Sequence, residues 1–300
     1  MFCGTPQTES LDAKIAMWEI GFVAPRFPNS PEFQRLAAGA DRVHLARIAL
    51  EIARDAHPDL DVESYLEKID QLARRVRDRC RPGYSTRDIL GQINWVLFVD
   101  AGLRANEEDY YDPQNSYLNH VLDRGLGIPI SLSIVYWAVA ERLGLALAGV
   151  NLPVHFMLRF DDEGLTWFVD PFHAGAIYTR QNCQDRLSEI IQQPIVLSDS
   201  LAAPCAIRVV VLRMLRNLKA IYGRTQDVES LLPVQRRLAA LSHDEPGELR
   251  DLGLLCAQTD RLGEALDSLQ SYLDAAPVVG DVHDIRALIE SLRHQIAKWN

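Results

Sequence analysis

Apolar residues recur with a helical period through the first third of the chain. In "VHLARIALEIARD" they stand at Val43, Ala46, Ile48, Ala49 and Ile52, and in "DVESYLEKIDQLARRVRDR" at Tyr65, Leu66, Ile69, Leu72 and Val76. In "STRDILGQINWVLFVDAGL" they stand at Ile89, Leu90, Ile93, Leu97 and Phe98. Residues three and four apart share one helix face, so each run predicts an amphipathic helix. Asp61 and Ser85 open the second and third as N-caps, since their side-chain oxygens can accept the N–H groups that a first turn leaves free. A fourth helix follows in "GIPISLSIVYWAVAERLG". Pro129 suits its first turn, where no N–H is needed, and Gly144 stops it. Leu132, Val135, Tyr136, Val139 and Leu143 form the face expected to be buried.

The period then shortens. "LAGVNLPVHFMLRF" and "LTWFVDPF" are rich in Val, Phe and Trp and are separated by "DDEG", which predicts an antiparallel hairpin turning at Asp162, Glu163 and Gly164. "GAIYTRQNCQDRLSEII" adds a short strand and a helix, and "PIVLSDSLAAP" reads as a connector. From about residue 205 the pattern is helical to the end. The fold class is therefore α+β: helices, then a small antiparallel sheet, then an all-α tail. Residues 1–35 hold Pro6, Pro25, Pro28 and Pro31 and predict an irregular arm able to dock through "IAMWEIGFVAP". The expected domains are residues 36–200 and 205–300, and 300 residues suffice for two cores.

The tail carries a repeat. With Pro277 as the last position of a 34-residue tetratricopeptide unit, Leu252 and Gly253 fall at the L-G positions, Ala265 at the small-residue position and Cys256 where an aromatic is usual. One period earlier Leu218 and Tyr222 fall in register, with Lys219 in place of glycine. "DIRALIESLRHQIAKWN" reads as the polar-faced closing helix that a stacked array needs.

Composition narrows the function classes. Apolar residues are 48% and charged residues 24%, the balance of a folded globular chain, and the net charge of −10 argues against a nucleic-acid partner. No stretch is long and apolar enough to span a membrane, and the first ten residues lack a secretory pattern, so a cytoplasmic location is expected. The five cysteines are scattered with no C-x-x-C pair, which suits free thiols rather than a zinc or redox motif. Cys256 reads as core filling. The acidic segment Glu107–Asp112 reads as a solvated loop. Arg208, Arg213, Arg216, Lys219 and Arg224 read as an exposed helix face or a docking surface for an acidic peptide.

The candidate chemistry lies on the hairpin. His155 falls in the first β-run and Asp170 closes the second, so the pairing can bring imidazole and carboxylate together, as a general base requires. The dull alternative is a hydrogen-bonded pair that pins the hairpin. His173, three residues past Asp170, could complete a metal site with the pair, but spacing alone is slender ground; no metal or other cofactor is expected.

A helix start, then a strand His, then a strand Asp is the order of the transglutaminase-like, papain-related fold. "NSYLNHVLDRGLGIPISLS", "GVNLPVHFMLRF" and "VDPFHAG", followed by the repeat tail, closely resemble the bacterial Sir-B family over roughly residues 37–298. The resemblance implies a transglutaminase-like domain with tetratricopeptide-like repeats and regulatory links rather than an established reaction. It also sets the superfamily's cysteine at Pro129. A thiol there gains acidity from the helix N-terminus and from histidine, and proline offers nothing equivalent. Ser131 lies about 200° around the helix, and Ser133 about 40° off but roughly 6 Å deeper, so neither is a good replacement by geometry. His155 and Asp170 thus read as parts of a triad whose nucleophile is absent, with Pro129 and His173 lining the cleft. The expected function is a pseudoenzyme that binds a protein or peptide through its cleft and repeats. The alternative is a hydrolase or transamidase in which Ser133, Ser131 or a mobile Cys183 acts with His155 and Asp170. The oligomeric state stays open.

Overall fold

The computed structural model describes residues 27–242, 244–275 and 280–298. They fall into two compact units, Phe27–Leu241 and a C-terminal unit from Ser242. The proposed docking segment "IAMWEIGFVAP" and the repeat landmark Pro277 lie outside the described residues.

The larger unit opens with α1 (Pro31–Ala37), α2 (Leu45–Ala53), α3 (Val62–Arg79) and α4 (Thr86–Asn94). The caps act as their residue types require. Asp61 accepts from Glu63 N and Ser64 N, and Ser85 exchanges bonds with Asp88 in a capping box. α1 is capped from a distance: the buried Glu51 carboxylate accepts from Glu32 N at 3.1 Å and Phe33 N at 2.8 Å. Residues 27–35, expected as irregular arm, therefore belong partly to this body. α4 runs into a π-helical turn, Trp95–Asp100, where the sequence pattern predicts a continuous helix through Leu97 and Phe98.

Next come β1 (Arg104–Ala105), a 3₁₀ turn (Pro113–Asn115), α5 (Leu118–Arg124), β2 (Leu126–Gly127) and α6 (Pro129–Arg142). β1 and β2 pair in parallel. Gly125 ends α5 at φ 70°, with Gly102 O lying 3.0 Å from where a Cβ would be, so the turn into α6 leaves no room for a side chain. α6 was expected to bury one face. Instead Pro129–Tyr136 and Ala138–Ala140 are all buried, and α6 is the central helix of the unit.

The sheet has strand order β3 (Ala148–Val150), β4 (Met157–Asp162), β5 (Leu165–Asp170), β6 (Ala176–Thr179), every pair antiparallel. Glu163 (φ 52°) and Gly164 (φ 77°) make the tight turn between β4 and β5. Alternation along the strands buries both faces. Leu158, Phe160 and Val169 enter the main core with α6, while Met157 and Phe168 pack with Cys183 and Leu187 of α7 (Arg180–Ile191).

α8 (Ile207–Thr225) and α9 (Val228–Leu241) complete this unit. This differs from the expected boundary at residue 205. Val210, Val211, Met214, Leu215, Leu218 and Tyr222 of α8 are buried in the same core as α6, so the first helix pair of the tail is part of the larger body. Arg237 of α9 reinforces it, donating to Asp55 at 2.6 and 2.8 Å and to Ser30 Oγ at 2.9 Å. The C-terminal unit holds α10 (Gly247–Gln258), α11 (Leu262–Ala275) and α12 (Val282–Ala297). There Gly253 lies under Leu269, whose Cγ would stand 2.5 Å from any Cβ, and Leu252, Cys256 and Ala265 are buried. The small residues sit where two repeat helices approach closely.

Candidate functional site

Asp170 ends β5 and caps the 3₁₀ turn Pro171–His173 that follows, its Oδ1 accepting from Phe172 N at 3.0 Å. Its other oxygen, Oδ2, receives His155 Nε2 at 2.9 Å and His173 Nδ1 at 2.7 Å. His155 was expected within the strand. It lies instead in the loop between β3 and β4, immediately after a tight turn in which His155 N donates to Pro153 O at 2.7 Å. The turn puts Val154 at φ 55°, a left-handed conformation that is strained for a β-branched residue, and leaves the residue 64% exposed.

A fourth member was invisible in the sequence. Arg186 of α7 lies with Nη2 2.8 Å from His173 Nε2. A guanidinium only donates, so His173 Nε2 is the acceptor and its proton sits on Nδ1, facing Asp170. His155 donates its Nε2–H to the same oxygen, with Nδ1 on the other side of the ring. The hydrogen-bond network thus assigns the His173 tautomer and orders both rings: Arg186 and Asp170 hold His173, and Asp170 holds the His155 ring by its Nε2. Burial alone would raise the Asp170 pKa, but the bonds from His155 and His173 overrule it and hold the carboxyl at about 2. The ring of Phe172 stands edge-on to His155 at 6.0 Å between centres, and Tyr110 meets Phe172 at 6.5 Å.

His155, Asp170 and His173 each offer a ligand atom, and these lie within 4.8 Å of one another. The relay argues against an ion there. Coordination through His173 Nδ1 would shift that proton to Nε2, where Arg186 already donates.

α6 packs against both β4 and the 3₁₀ turn of His173. Pro129 is its first residue and is buried. Ser131 Oγ is committed to backbone: it donates to Asn115 O at 2.6 Å and accepts from Ile128 N at 3.1 Å. Ser133 is fully buried, its hydroxyl without a partner among the described residues. Cys183, the mobile thiol of the enzymatic alternative, is fully buried on the α7 side of the sheet, with Sγ 3.7 Å from Met157 Sδ. Burial, with a smaller push from the Asp170 charge, raises its pKa to about 12.

Residues 106–115 form a loop ordered by two buried amides. Asn106 Nδ2 donates to Asn115 Oδ1 at 3.1 Å, and Asn115 Nδ2 to Asp109 O at 2.7 Å. Ser131 ties this loop to α6, so the serine holds the wall of the site. Arg213, expected on an exposed face, is half-buried and donates to Asn151 Oδ1 at 2.5 Å and Leu152 O at 2.7 Å, thereby steadying the segment that precedes His155. A cavity of about 250 Å³ lies elsewhere, lined by His44, Arg47, Glu63, Asp70, Glu141 and Arg142. It sits at the C-terminal end of α6, about 20 Å along the helix from Pro129.

Comparison with known proteins agrees with this layout. A model of the transglutaminase-like superfamily matches residues 63–216, and a tetratricopeptide-repeat model matches residues 218–290. The chain is 32% identical over 270 residues to a UPF0162 protein of Xylella fastidiosa (strain Temecula1), covering 88% of this chain and 96% of that protein. It is 26% identical over 256 residues to UPF0162 protein YchA of Escherichia coli K12, covering 83% and 91%. F-box only protein 21 of Mus musculus is 32% identical over 149 residues, which are 47% of this chain and 23% of that protein.

Proposed function

The chain belongs to the UPF0162 family of transglutaminase-like proteins with tetratricopeptide repeats, and from that premise we propose that it is a non-catalytic protein-binding or regulatory protein. The observation that carries the proposal is Pro129 at the head of α6. Acyl transfer on this fold needs a nucleophile beside the histidine and a donor for the developing oxyanion. Proline supplies no attacking atom, and it also removes the backbone N–H from the first helical position. Neither serine replaces it, since one hydroxyl is bonded to backbone and the other is buried in the helix packing. The Cys183 thiol is too basic and too buried to serve. What persists is a base with no internal group to activate, able to accept a hydrogen bond from a bound chain through His155 Nδ1. Tetratricopeptide repeats generally mediate protein–protein interaction, and the regulatory links of the Sir-B family point the same way.

Activity-based labelling tests this. Fluorophosphonate and electrophilic thiol probes should give no labelling that depends on His155. Labelling of a serine or cysteine that disappears in His155→Ala would establish a working nucleophile and overturn the reading.

A further inference from the structure

A second histidine pair lies outside the Asp170 cluster, where α2 packs against α5. His57 stands in the turn that follows α2 and His120 on the exposed flank of α5, both half-buried. Their Nε2 atoms are 2.9 Å apart and their ring centres 4.5 Å apart, with the ring planes at 71°. A head-on N–H···N bond of that length would hold the centres about 5.2 Å apart, so the rings are inclined to the line joining their nitrogens. Two imidazoles on one ion, each about 2.1 Å from it and about 90° apart, hold their nitrogens about 3 Å and their centres about 4.5 Å apart. Both observed separations match that arrangement.

We propose that His57 and His120 form a two-imidazole site for a divalent transition-metal ion with a right-angled coordination preference, copper(II) or nickel(II) above zinc. The remaining positions belong to water. The neighbouring carboxylates are engaged elsewhere: Asp123 accepts from Tyr65 and Lys68, and Asp112 pairs with Arg124 at 2.8 Å. No basic side chain donates to either Nε2 among the described residues, unlike the Arg186 contact at His173. Each ring can therefore carry its proton on Nδ1 and present Nε2 to the ion. His57 is steadied by its own turn, with His57 N donating to Ala53 O at 3.0 Å and its ring edge-on to Tyr117 at 5.6 Å. An ion here would staple the end of α2 to α5, which leads through Gly125 and β2 into α6.

Calorimetric titration of the full chain with copper(II), nickel(II) and zinc(II) chlorides tests this. Wild type should bind one copper(II) per chain more tightly than zinc(II), and His57→Gln or His120→Gln should weaken it at least tenfold. The electron paramagnetic resonance spectrum of the copper(II) complex should show hyperfine coupling to two imidazole nitrogens. That measurement needs no variant and stands even if a substitution perturbs folding. Binding unchanged in the His57→Gln/His120→Gln double variant, a spectrum without two-nitrogen coupling, or loss of the ion in His155→Gln instead would each overturn the assignment.

Discussion

Proline at position 129 offers neither a nucleophilic atom nor a backbone N–H, so placing a sulfur there isolates the effect of a nucleophile at the head of α6. In Pro129→Cys the fold should survive, because a cysteine fits a first helical turn and is smaller than the buried ring it replaces. If the new thiol faces His155, its reaction with iodoacetamide should be faster than that of any native cysteine, and His155→Ala should slow it. The contrast is wide, because burial raises the thiols of Cys80 and Cys183 above their ordinary range. A rate no higher than that of Cys80 would show that position 129 does not face the base. Asp170 makes a separate prediction through linkage. Its folded pKa is depressed, so its contribution is fully present above the unfolded value near 4 and is lost as pH falls through about 2. Urea midpoints should therefore fall between pH 5 and pH 2 by more in wild type than in Asp170→Asn. That variant should also be about 2–4 kcal/mol less stable at pH 7, since either orientation of the amide would set its NH2 group against a donor, Phe172 N–H on one side or the two histidines on the other.

Among the elements, those with a strong apolar period were legible: α2, α3, α4 and α6, the β4–β5 hairpin and the strand–helix unit after it. Asp61, Ser85 and Gly164 marked their ends because each has a local job that does not depend on the rest of the fold. Elements stabilised by distant partners were not legible. The β1–β2 pair spans two residues a side and exists because Arg104 N and Asn106 N find Gly125 O and Gly127 O. His155 carries a β-type neighbourhood, yet the turn at Val154 ends the strand run before it. That turn invites a test. Val154→Asn keeps a side chain but tolerates positive φ, so it should raise stability by about 0.5–1 kcal/mol in urea unfolding. In the repeat region, Gly253→Ala would drive a methyl into Leu269. It should cost about 1–3 kcal/mol, read as loss of amide-exchange protection in α10 and α11 of the full chain.

At the scale of the whole molecule, a periodic sequence reports that a helix face is buried, not what covers it. The stripe on α8 has the same spacing whether it packs on a repeat neighbour or on α6, which is why residue 205 read as a boundary. The pairing of Tyr117 and Tyr222 hydroxyls at 2.7 Å, Arg213 on the loop before His155, and Arg237 on Asp55 are all contacts between residues more than 60 positions apart. The tetratricopeptide match begins inside α8, so its first helix pair also serves as a wall of the transglutaminase-like core. Truncation separates the two descriptions. A chain ending after Leu241 should keep its cooperative unfolding transition, because Phe27–Leu241 retains every buried residue of its core. A chain ending after Pro204 should not fold. It would expose the surface that Val210, Val211, Met214, Leu215 and Leu218 cover, at roughly 1.5–3 kcal/mol for each large side chain, more than a domain of this size can lose. Size-exclusion chromatography and circular dichroism of the two truncations would decide it. A well-folded, monodisperse chain ending at Pro204 would return the boundary to residue 205 and make α8 and α9 a true part of the repeat array alone.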